Sequence, residues 1–137
     1  MKKTLTLFFI TISFFGYAQF EKIGYSKTQL LNSINEQPCR YTNNAIWYCG
    51  EYSSSTGYIL KNDYVTSFMH IWEFKSKSDA DQNVKDLTNM LSNQYGRAQM
   101  KEDLAFWFYG GFLITARYMN SDGKHYSCWR ASRSNVQ

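Results

Sequence analysis

The sequence predicts an α+β fold: one antiparallel sheet, built from two meanders, with two helices packed on the same side. Three observations point there. Two segments combine a helix start signal with an apolar stripe of helical spacing, whereas the stretches after them place apolar residues at every second position. Turn-forming pairs interrupt those period-two runs at hairpin spacing. The expected order is helix, three or four strands, helix, three strands. A split into two small layers around the second helix is the alternative arrangement.

The chain opens with an export signal. Lys2 and Lys3 precede the apolar run from Leu5 to Phe15, and Gly16-Tyr17-Ala18 sets small residues where a signal peptidase requires them. Residues 1–18 are therefore expected to be a cleaved signal peptide and 19–137 a single exported domain, periplasmic or secreted. The run contains Thr6, Thr11 and Ser13 and falls short of the roughly 20 apolar residues that span a bilayer, so no stable membrane insertion is expected after cleavage.

The first helix is announced by Ser26-Lys27-Thr28-Gln29, a capping box, with Tyr25 and Leu30 placed as a hydrophobic staple. Leu30, Leu31 and Ile34 form its stripe, and Pro38 is expected to end it. From Cys39 to Phe74 the pattern is that of a meander with turns at Asn43-Asn44, Ser53 to Thr56, and Asn62-Asp63. A three-residue loop at 43–45 would set Cys39 opposite Cys49. That pairing is the favoured disulfide in an oxidising compartment, with Cys49–Cys128 the alternative and the remaining thiol simply buried. In the last strand of this meander Tyr64, Thr66, Phe68, His70, Trp72 and Phe74 are expected on one face, and Val65, Ser67, Met69, Ile71 and Glu73 on the other. Neither face is wholly polar, which suits a central strand.

The second helix is read from Ser78 as cap, Asp79 and Asp81 in the first turn, the stripe Ala80, Val84, Leu87, Leu91 and Tyr95, and Gly96 as its stop. A second meander follows from about Leu104 to Ala131. Gly110-Gly111 and Asp122-Gly123 are two-residue hairpin turns, so residues whose numbers sum to 221 pair across the first hairpin and those summing to 245 across the second. One face then collects Ala105, Trp107, Ile114, Ala116, Tyr118 and Trp129 as core. The other collects Phe106, Phe108, Leu113, Thr115, Arg117, Met119, Tyr126, Cys128 and Arg130.

Two arginines make that second face at least partly wet, because an unpaired guanidinium is too costly to bury. Aromatic rings and arginines together are what binding hot spots are made of. Phe106, Phe108, Arg117, Tyr126 and Arg130 are accordingly the candidate binding residues.

Composition narrows the chemistry. With 137 residues, 44% hydrophobic, 19% charged and one proline, the chain is neither fibrous, disordered nor multi-domain. Losing Lys2 and Lys3 takes the basic residues from 15 to 13 against 11 acidic, leaving +2, too little for an affinity for nucleic acid. No glycine-rich phosphate loop, Cys-x-x-Cys pair or cofactor motif is present, so no cofactor or metal is expected. His70 and Glu73, like His125 and Cys128, are three apart, an odd offset that sends strand side chains to opposite faces. His125, beside the Asp122-Gly123 turn, is expected in solvent.

These features favour a non-catalytic binding module for a protein partner or an envelope glycan or other envelope component. The alternatives are a small envelope hydrolase working through a carboxylate or His70, and a carbohydrate-binding protein. Gly24-Tyr25-Ser26-Lys27-Thr28-Gln29-Leu30-Leu31 resembles the opening of small envelope modules of the outer-membrane-assembly lipoprotein type, though the lipid-attachment cysteine of that family is absent. The two helix-plus-meander halves resemble secreted protease and β-lactamase inhibitors in architecture alone. No family membership follows.

Overall fold

The computed structural model of the protein describes residues 21–134; the expected signal segment 1–18 lies outside them. Helix α1 (Lys27–Ser33) precedes β1 (Arg40–Thr42), β2 (Ala45–Cys49), β3 (Ser54–Lys61) and β4 (Tyr64–Phe74). Helix α2 (Lys77–Tyr95) precedes β5 (Gln99–Lys101), β6 (Leu104–Tyr109), β7 (Phe112–Ser121) and β8 (Lys124–Arg133). All strands are antiparallel in one eight-stranded sheet of order β1-β2-β3-β4-β8-β7-β6-β5. Each half is thus a helix followed by four strands, and the halves join where β4 pairs with β8. The second meander has one strand more than expected, the three-residue β5 at the sheet edge.

Both ends of α1 are set locally. The Ser26 hydroxyl accepts from the Gln29 amide and the Gln29 side chain accepts from the Ser26 amide, completing the capping box. The helix stops at Ser33, well before Pro38, as Ile34 turns extended and packs against the core. Helix α2 begins earlier than expected. Ser76, not Ser78, is its cap and accepts from the Asp79 amide at 3.1 Å, a position that also puts the Asp79 carboxylate in the first turn. Gly96 ends it at φ 93, and the Gly96 carbonyl accepts from Trp107 Nε1 at 2.8 Å, tying the helix end to β6.

Both hairpin registers of the second meander follow the turn arithmetic. Ala105 pairs with Ala116, and Arg117 with Cys128. Gly110, Gly111, Asp122 and Gly123 all take positive φ, the geometry such turns need. The first hairpin differs from expectation. Thr42 pairs with Ala45, so its loop is Asn43-Asn44 alone and Cys39 lies just outside the ladder. The Cys39–Cys49 disulfide nonetheless closes across a Cα separation of 5.8 Å, and Cys128 is a buried free thiol. Replacing Cys39 and Cys49 together by serine should lower stability by about 3 kcal/mol, read by urea denaturation; an unchanged midpoint would contradict it.

The register of β3 on β4 slips between Ile59 and Leu60. This bulge breaks the alternation expected for β4: Val65 is buried, while Tyr64 and Thr66 are exposed. Beyond it Phe68 points to the helices. There it meets Tyr58, Trp129, Ile114 and Leu91 in one cluster that also holds Leu30 of α1. Asn83 of α2 accepts from the buried Ser127 hydroxyl at 2.6 Å, fixing that helix over β8. Both helices share this face, and no described element packs on the other. Among the described residues no helix is long and apolar enough to cross a membrane.

Candidate functional site

The face without helices is where the five candidate binding residues stand together. One row of paired residues crosses the whole sheet: Arg40, Trp47, Gly57, Met69, Arg130, Thr115, Phe106 and Gln99. At ordinary strand spacing such a row is about 34 Å long. Arg117 and Cys128 lie in the neighbouring row, Tyr126 faces Glu73 and Met119 beyond it, and Phe108 lies on the other side, opposite Leu113. Phe106 and Phe108 meet edge to face at 5.9 Å, and Phe108 is 52% exposed.

The two arginines differ in their ties. Arg130 donates from Nη2 to the buried Ser67 hydroxyl at 3.1 Å. The Arg117 side chain is exposed and makes no ion pair or hydrogen bond among the described residues. Glu73, the carboxylate of this face on β4, is engaged by Lys124 at 3.3 Å and by the Tyr126 hydroxyl at 3.4 Å. Arg117 is therefore a cation whose charge is left for solvent or a partner.

Small residues on this face are covered by their own neighbours. Cys128 is 3% exposed between Arg117 and Ile71, and burial pushes its thiol pKa up to about 11 against the opposing pull of Arg117 and Arg130. Iodoacetamide at mildly alkaline pH should label Cys128 only as the protein unfolds; rapid labelling of the native protein would contradict this burial. Gly57 lies under the Trp47 ring, which would come within 2.7 Å of an added Cβ. A side chain at 57 must lift the indole, so Gly57→Val is expected to cost about 1–3 kcal/mol. A melting temperature equal to wild type would refute that packing.

Sequence reasoning placed the β6–β8 side of this face and missed Arg40 and Trp47. Its signal was present in the period-two run of β2, but the link between the two meanders, β4 on β8, has no turn to fix it.

The opposite face holds His70, the imidazole of the acid-base alternative. His70 points to the helix side and shares a hydrogen bond of 2.7 Å between Nδ1 and the Thr56 hydroxyl, its ring 4.2 Å from Trp72. Burial lowers its pKa from 6.5 to about 4, so the imidazole is neutral at physiological pH. Glu73 points the other way, and the two do not meet. His125, expected in solvent, is half-buried with Nδ1 2.7 Å from the Tyr118 hydroxyl, because its strand position opposes Asn120 on the helix face. No family model matches the chain, and comparison with curated proteins and with solved structures likewise gives no match.

Proposed function

We propose that this protein is an exported, non-catalytic binding module that holds a protein partner or a cell-envelope component against its uncovered sheet face. The observation that carries the reading is Arg117, exposed among Phe106, Phe108, Tyr126 and Arg130, with no counter-charge among the described residues, on a face to which no described helix packs. A guanidinium amid half-exposed rings is costly to keep in any dry layer and suits an interface whose partner supplies acceptors. The disulfide agrees with residence in an oxidising compartment, periplasmic or extracellular.

Arg117→Glu tests it. With no ion pair or side-chain hydrogen bond to lose, the variant should melt within about 0.5 kcal/mol of wild type, yet fail to retain from the cell envelope or medium whatever the wild-type chain retains. Equal retention by both proteins would remove the face from function. Arg130→Ala should cost about 1 kcal/mol through Ser67 as well as weaken binding, which makes it the less clean of the two.

A further inference from the structure

A second site lies on the other side of the sheet. Between the end of α1 and the ends of β2, β3 and β4 is a cavity of ≈620 Å³, within the size range of pockets that hold small molecules. Its walls include Ile34, Tyr48, Thr56, Tyr58 and His70. Two of these side chains have hydrogen-bonding capacity left over. The Tyr48 hydroxyl is buried in a residue 7% exposed and has no partner among the described residues. His70 uses Nδ1 on Thr56, and Nε2 has no partner among the described residues.

A buried hydroxyl left unmatched costs the fold free energy, and such groups are rare in a stable interior. A ligand oxygen would repay that cost, after a small displacement of the irregular segment 34–36 that lines the same cavity as Tyr48. The chemistry of that oxygen is constrained. Nε2 is a donor in one neutral tautomer and an acceptor in the other, and a phenolic hydroxyl is both, so a ligand hydroxyl satisfies either arrangement. The charged liners Lys22, Glu36 and Glu51 sum to −1, and both carboxylates are exposed, so the site repels an anion and offers a cation only solvent-screened charge. An anion would lose its hydration without compensation, and a cation would recover little of it from carboxylates that face solvent. Ring walls from Tyr48 and Tyr58 favour a flat or cyclic body.

We infer that this cavity is a binding site for an uncharged hydroxylated ring, held by hydrogen bonds from its hydroxyl to His70 Nε2 and the Tyr48 hydroxyl. That chemistry is shared by a pyranose sugar and a phenol. The site is separate from the uncovered sheet face, and its test does not depend on that reading.

The test is titration of the mature protein at neutral pH with methyl β-glucopyranoside and, separately, with phenol, to tens of millimolar, following the His70 ring nitrogens by NMR. Saturable movement of Nε2 with either probe is expected, and the probe that acts identifies the source. Tyr48→Phe supplies the second arm: it should leave the melting temperature unchanged or raised, since it deletes an unmatched hydroxyl, and weaken the acting probe about fivefold. No saturable shift with either probe overturns the site. A Tyr48→Phe variant that binds as tightly as wild type, or melts lower, overturns the assigned geometry.

Discussion

Phe68→Ala is expected to lower stability by about 3–5 kcal/mol, a large share of the roughly 5–15 kcal/mol that holds a small domain together. Phe68 is fully buried on β4, the strand through which the two halves join. Its ring stands edge-on to Trp129 of β8 at 5.0 Å and tilted against Tyr58 of β3 at 6.5 Å. Those two walls belong to different meanders and are held apart by ladder hydrogen bonds, so the cavity left by truncation has little means to collapse. Phe68→Leu, which keeps most of the volume, should cost about 1 kcal/mol. Urea denaturation of the pair checks both values; a loss under 1 kcal/mol for the alanine variant would mean that the halves do not share one core.

Acidification should destabilise the protein by about 3 kcal/mol between pH 6.5 and 4, through His70 alone. The folded state holds the imidazole at a pKa of about 4, whereas the unfolded chain protonates it at its ordinary 6.5. The unfolded state therefore binds the extra proton across that window. Stability from this group is complete above pH 6.5, falls as the pH drops, and loses nothing further below about 4. Desolvation is the cause, since the ring is enclosed by Trp72 and Thr56 and lines the cavity with Tyr48 and the exposed Glu36 and Glu51. His70→Gln should flatten this part of the stability profile whatever its effect at neutral pH. A wild-type profile flat from pH 7 to 4 would show that His70 is solvated.

What could be read from the sequence was whatever a local device fixes. Gly110-Gly111 and Asp122-Gly123 determine turn length, and with it the side of the sheet taken by every residue from Ala105 to Arg130. The capping box at Ser26 and the stripe from Ala80 to Leu91 locate both helices in the same way. Where the device is weak, the reading slipped. Strand β5 hides behind a turn at Glu102-Asp103 in which Glu102 takes φ 54 without a glycine to announce it. The Asn43-Asn44 turn admits two loop lengths, and the bulge beside Thr66 leaves no mark on composition. Ser76 and Ser78 are both able to cap α2, and the choice falls to Ser76, three residues before Asp79. Long-range placement was out of reach altogether: the β4–β8 pairing and the cavity joining residues 22, 34–36, 48–58 and 70 arise from tertiary packing with no short-range signal.

Hydroxyl-radical footprinting of the free protein tests the account at its root. Phe106, Phe108, Met69 and Tyr126 should oxidise readily while Phe68 and Trp129 stay protected, and the first group alone should become protected when a retained partner is added. If the free protein already shields Phe106, Phe108 and Tyr126 as well as it shields Phe68, the face is covered and has no surface to offer.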